Sequence, residues 1–232
     1  TFFRSGKGVI DERHYLSQSF PAGHRLWADA DVVLAIGTRL KYQQMYWGLD
    51  KNLKILRIDI DPTEINRISK PEIGIVADAR TALETLLPLV ESHNIPRPSR
   101  RKELNYLRTE FQDAFEDKIA PQMGYLRVIR EELPEDGFFV DEVTQVGFAS
   151  WYAFPTYHPR QFISAGYQGT LGYGYATALG VQAAHPDKKV IAIAGDGGFL
   201  FNVQELATAV QYGLGVVVIV FNDNKFGNVQ RQ

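Results

Sequence analysis

Residues 189–224 read KVIAIAGDGGFLFNVQELATAVQYGLGVVVIVFNDN. Lys189–Ala194 is an apolar run of strand length that ends in a glycine-flanked acid, Asp196. Glycine clusters where a backbone turns tightly or lies against something. Gly195, Gly197 and Gly198 therefore mark a strand-to-helix turn or a place where a ligand meets the main chain. Asn202 is a good helix N-cap, Glu205 three residues on completes a capping-box pattern, and Gly213 stands where a helix should end. Val216–Phe221 is a second strand. Strand, helix 202–212 and strand form one βαβ unit with parallel strands and a crossover that is right-handed in nearly all proteins. Asp196 then lies at the carboxyl end of the first strand, and Asn222, Asp223 and Asn224 at that of the second. This is the edge where α/β proteins place ligands.

An oxygen-only donor set without His or Cys suits a hard cation, Mg²⁺ or Ca²⁺. Mg²⁺ is held by one or two carboxylates together with phosphate oxygens and water, so two protein carboxylates imply a phosphorylated partner in the same crevice. Glycine-lined turns let phosphate approach backbone N–H groups. An isolated GDG would be a plain turn; GDG, a capped helix and an apolar strand ending in NDN together point to a metal and phosphate site.

Outward from this unit, the α/β pattern continues in both directions. Tyr125–Leu133 is an amphipathic helix, Gly137–Asp141 and Arg160–Ser164 are strands, and Leu171–Ala184 is a helix of mostly Gly, Ala and Tyr. Earlier in the chain, Asp31–Leu40 and Lys54–Asp59 are Val/Ile/Leu-rich runs of the kind buried in parallel sheets, with an aromatic-rich loop or helix, Tyr42–Leu49, between them. Asp61, Pro62 and Glu64 form a helix start, Ile75–Ala77 is a short strand, and Ala79–His93 is a helix. The sequence thus predicts an α/β protein of two doubly wound parallel-sheet domains, residues 1–95 and 121–232. Residues 96–120 join them as a Pro- and Arg-rich linker and a charged helix over Lys102–Lys118.

The chain has 232 residues, 45% hydrophobic and 22% charged, with net charge −2. No basic excess argues for nucleic acid or an anionic membrane surface. The absence of cysteine excludes disulfides, thiolate metal sites and a Cys nucleophile, and it fits a reducing, cytoplasmic setting. No apolar stretch approaches the roughly 20 residues of a membrane helix. The first residues do not form a secretory signal, and the abrupt start and end suggest a piece of a longer chain. His14, His24, His93, His158 and His185 show no ligand spacing and read as surface or loop residues.

GDGGFLFNVQELATAVQYGLGVVVIVFNDNKFGNV (residues 195–229) resembles the thiamine diphosphate motif of 2-oxoacid decarboxylases and acetohydroxyacid synthases. PRQFISAGYQGTLGYGYATALGVQAAHPDKKVIAIAGDG (159–197) is similar to the stretch that precedes it in acetolactate synthase. The resemblance spans essentially the whole chain: residues 1–94 match the later part of the family's central domain, and 121–232 the first part of its diphosphate-binding domain. It implies thiamine diphosphate and Mg²⁺ as cofactors, with the metal on Asp196, Asp223 and the Lys225 carbonyl; Asp223 stands where many members have Asn. It places Gln145, Gly169, Thr170, Gly197, Gly198, Asn222, Phe226 and Gly227 around the cofactor. Leu171 matches the apolar residue that imposes its V-shaped conformation. The implied chemistry is addition of the thiazolium carbon to a 2-oxo acid and loss of CO₂.

The activating glutamate belongs to the family's pyrimidine-binding domain, which no position here matches; Glu142 and Glu205 read as structural. A fragment of this kind is expected to be inactive alone. In the central domain, Arg39, Asp59 and Asp78 match positions near a nucleotide, which in relatives is FAD, ADP or nothing. A homodimer or homotetramer is implied, because the family's cofactor lies between subunits.

Val229 stands where pyruvate-decarboxylase-like members carry a catalytic glutamate. Acetohydroxyacid synthases have an apolar residue there, but methionine in place of Asn228, tryptophan in place of Gln232, and a Gln–His pair in place of Gln145–Val146. Acetolactate-synthase-like, benzoylformate-decarboxylase-like and non-catalytic nucleotide-binding readings remain open at this point.

Overall fold

The computed structural model describes residues 6–49, 52–166 and 168–230, without the side chains of Asn228 and Val229. Pro21–Lys102 form one compact unit, and residues 6–20 join Glu103 onward in the other.

In the first unit α1 (Phe20–Trp27) leads into β1 (Val32–Ile36), a π-helical turn (Gln43–Trp47), β2 (Lys54–Asp59), α2 (Pro62–Ile65), β3 (Ile73–Val76) and α3 (Ala79–His93). The strands form a parallel sheet in the order β1-β2-β3. The helix start expected at Asp61–Pro62 is present: the Asp61 carboxylate accepts from the Thr63 N–H (2.8 Å), with Pro62 in the first turn. One expectation is corrected. The strands are not buried throughout, since Val32 and Leu34 on β1 and all of β3 lie exposed. The described residues leave part of that sheet uncovered, so apolar composition alone overstates the burial.

The second unit continues with α4 (Arg101–Lys118), α5 (Ala120–Glu132), β4 (Phe138–Val140), α6 (Gln145–Ala153), β5 (Phe162–Ile163), α7 (Tyr173–Ala184), β6 (Val190–Gly195) and α8 (Asp196–Leu200). After a 3₁₀ turn (Val203–Glu205) come α9 (Leu206–Tyr212), β7 (Val217–Phe221) and α10 (Gly227–Gln230). Its parallel sheet has the order β5-β4-β6-β7, with β6 inside and β7 at the edge. Val190, Ala192, Ile193 and Ala194 are almost completely buried, as an inner strand covered on both faces requires. The core beneath it gathers Leu126, Ile129, Phe139, Phe154, Phe162 and Ile193.

Residues 6–20 strap onto this second unit. The Lys7 ammonium lies 2.8 Å from Glu12 Oε1, and Glu12 Oε2 accepts from the Thr156 N–H (3.0 Å). The Arg13 guanidinium pairs with Asp11 and Glu135 and stacks 4.2 Å over the ring of Tyr157. Asp11 is held down at about 2 chiefly by its hydrogen bonds from Arg13.

Candidate functional site

The pairing of β6 with β7 is parallel and runs from Ile191↔Val217 to Gly195↔Phe221. Asp196 and Asn222 are therefore each the first residue past the last pair, side by side at the carboxyl edge. The chain turns at once after β6, so the expected strand-to-helix turn is the short helix α8 itself. There the Asp196 carboxylate accepts from the Gly197 N–H (2.8 Å). After β7, Asn222 Oδ1 accepts from the Asn224 N–H (2.9 Å) and Asp223 Oδ1 from the Lys225 N–H (3.1 Å), with Asn224 left-handed at φ 56°. These two turns fold the loop back so that Phe226 lies against Gly197, where any side chain would overlap its ring. The GDG and NDNKF loops thus touch, and Gly227 lies close to the Asp223 carboxylate.

Two more segments reach the same edge. Gln145, which the resemblance places at the cofactor, is the first residue of α6; the Thr144 hydroxyl caps that helix by accepting from the Gly147 N–H (2.8 Å). The segment Gly169–Gly172 runs between residues 142–144 and 198–202. A Cβ on Gly169 would lie 3.8 Å from Val143, and one on Gly172 would lie 2.9 Å from both Phe201 Cβ and Asn202 Nδ2. The helix expected from Leu171 starts at Tyr173, because Gly172 is left-handed (φ 80°).

Glu142 stands at the centre of this arrangement. Its side chain is 1% exposed; Oε1 accepts from the Gly172 N–H (2.7 Å) and Oε2 from the Gly174 N–H (3.1 Å). Burial pushes its carboxyl above the usual range, against the pull of those two N–H groups. Gly198 is glycine because a Cβ there would overlap the Glu142 carboxylate. The capping box expected at Asn202 and Glu205 does not form. The Asn202 amide instead donates to the Gly172 carbonyl, the helix opens with a 3₁₀ turn, and Glu205 accepts from the Thr208 hydroxyl. Nothing local in the sequence signals this role of Asn202, whose partner lies thirty residues away.

The donor set suits a magnesium diphosphate. Among the described residues no three His, Cys, Asp or Glu side chains are grouped so that they could hold a metal ion by themselves. Asp196 and Asp223 supply only hard oxygens, which matches a cation that keeps water and phosphate in its shell. Gln145, Gly169, Thr170, Asn222, Asp223 and Lys225 are all exposed, so the edge is open to a ligand. Asn228 and Val229 side chains and Gln232, which separate the family branches, lie outside the described residues.

In the first unit, Arg39 follows β1, Asp59 ends β2 and Asp78 caps α3 just after β3, so all three share one sheet edge. Their own chain engages them. Arg39 lies 3.4 Å from Glu64, Asp59 accepts from the Asp61 N–H, and Asp78 accepts from the Thr81 N–H, which holds its carboxyl low. All five histidines are exposed, with His24 and His93 on helices.

Residues 142–232 match the thiamine pyrophosphate enzyme C-terminal TPP binding domain, and residues 3–86 match the thiamine pyrophosphate enzyme central domain. The chain is 30% identical over 239 residues to the acetolactate synthase isozyme 1 large subunit of Escherichia coli, covering 97% of this chain and 42% of that protein. It is 35% identical to a probable acetolactate synthase large subunit of Methanocaldococcus jannaschii, over 97% of this chain and 41% of the relative. It is 31% identical to a probable 2-ketoarginine decarboxylase of Pseudomonas aeruginosa, again over 97% and 42%. The chain therefore spans about two fifths of the length of these relatives. No helix among the described residues is long and apolar enough to cross a membrane. With a parallel α/β unit under each domain match, the chain belongs to the thiamine pyrophosphate enzymes.

Proposed function

We propose that this chain carries the diphosphate- and metal-holding part of a Mg²⁺-dependent enzyme that acts on a 2-oxo acid. The observation that carries this is the junction of the GDG and NDNKF loops on adjacent parallel strands, with Asp196 and Asn222 in register. Asp196, Asp223 and the Lys225 carbonyl hold the cation, while Gly197, Gly198, Asn222 and Gln145 hold the diphosphate. Gly169, Thr170, Phe226 and Gly227 line the cofactor, and Leu171 supports its bent conformation. The chemistry such a site serves is addition of the thiazolium carbon to a 2-oxo carbonyl, with loss of CO₂. The activating glutamate comes from a pyrimidine-binding domain, in a homodimer or homotetramer.

Acetolactate-type carboligation is the reading that the similarity to acetolactate synthase large subunits favours. Simple decarboxylation is the second reading. It is favoured by the likeness to a probable 2-ketoarginine decarboxylase and by Val146, where acetohydroxyacid synthases carry histidine. Calorimetric titration of the complete protein with thiamine diphosphate tests the site. Binding is expected with Mg²⁺ and lost with EDTA; Asp196→Ala should abolish it, whereas Asp223→Asn should keep it because an oxygen ligand remains. Absence of saturable, Mg²⁺-dependent binding overturns the proposal. Product analysis with pyruvate then separates acetolactate from acetaldehyde formation.

A further inference from the structure

Residues Thr170 and Leu171 lie between two left-handed glycines, Gly169 at φ 60° and Gly172 at φ 80°. Such a bracket leaves a dipeptide free to swing unless one end is anchored. The Gly172 end is anchored on both sides of the same residue: its N–H donates to Glu142, and its carbonyl accepts from Asn202. Each anchor departs from what local stability favours. A carboxylate that is 1% exposed and answered only by backbone N–H groups is costly to bury, and a turn could be held by a neutral acceptor. Asn202 makes no capping hydrogen bond to the helix it precedes. Local rules broken at one peptide from two separate segments mark a functional requirement rather than a packing one.

We propose that Glu142 and Asn202 are positioning residues, a two-sided clamp on the Gly172 peptide that fixes Leu171 against the bound cofactor. The proposal rests on the thiamine diphosphate reading above. It assigns a role to two residues outside the proposed metal- and diphosphate-holding set: Glu142 ties residues 169–174 to residues 141–145, and Asn202 ties Gly172 to the segment that follows β6.

The test uses the complete protein and two variants, Glu142→Gln and Asn202→Ala. Glu142→Gln keeps the shape but turns an amide NH₂ toward a backbone N–H. Asn202→Ala removes one bond at a half-buried position and serves if the first variant does not fold. In the cofactor-free protein, amide exchange at Gly172 and Gly174 should be slow in the wild type. Glu142→Gln should speed it by about tenfold, the effect of one lost buried hydrogen bond. With Mg²⁺ present, the affinity for thiamine diphosphate should stay within about threefold, because the holding residues are untouched. Deuterium exchange at the bound cofactor's C2–H, read by NMR after acid quench, should slow about tenfold or more in both variants. Unchanged C2–H exchange in a variant that binds the cofactor overturns the clamp. A wild type that binds no thiamine diphosphate overturns instead the reading on which the clamp rests.

Discussion

Two neighbouring glycines answer to different neighbours. A Cβ on Gly197 meets the ring of Phe226, which is 55% exposed and can swing away. A Cβ on Gly198 meets the carboxylate of Glu142, which is buried and held by two backbone N–H groups. Gly198→Ala should therefore destabilise the protein by about 1–3 kcal/mol, as overpacking of a fixed site does. Gly197→Ala should cost less than about 1 kcal/mol. Chemical denaturation of both variants checks the difference, and equal losses would place the strain elsewhere. The sequence shows at this scale that glycines cluster round Asp196, but not why, because the colliding groups come from residues 142 and 226. The role of Asn202 is hidden for the same reason: capping is the local use of an asparagine, and the bond it makes crosses thirty residues.

Elements were legible where their signals are local. The Asp61–Pro62 helix start and the Gly213 helix end follow from a cap and a glycine, helix α3 from its apolar spacing, and each appears as expected. Their starts shift where tertiary contacts intervene, as at Gly172. The cap of α6 gives a clean expectation. Thr144→Ala removes the acceptor of the Gly147 N–H and should lower stability by about 1 kcal/mol, while Thr144→Ser should be nearly neutral; thermal denaturation decides. The strap over residues 6–20 had no signal in composition. Its Asp11 carboxyl lies below its unfolded value, so its contribution is present above the ordinary carboxylate range and is lost only as pH falls toward about 2. NMR titration should give Asp11 that low midpoint, and Arg13→Ala should raise it, with the backbone N–H of residue 13 still holding part of the lowering.

At the scale of the whole molecule, the alternation of apolar runs with helix signals was enough to predict two parallel α/β units. The structure has a sheet for each, β1-β2-β3 and β5-β4-β6-β7. Burial was less legible, since Val32, Leu34, Ile73 and Ile75 look like core residues yet are exposed. The site was legible as a place because parallel strands bring their carboxyl ends together whatever their separation in sequence. The central claim is that this edge of the second sheet holds a cation and a diphosphate. Crystals of the complete protein grown with thiamine diphosphate and Mn²⁺ in place of Mg²⁺ test it most directly, through the anomalous scattering of the metal. One metal peak is expected within coordination distance of the Asp196 and Asp223 side chains and the Lys225 carbonyl, next to diphosphate density. A metal–diphosphate complex bound at any other surface, or an empty edge under saturating cofactor, would contradict it.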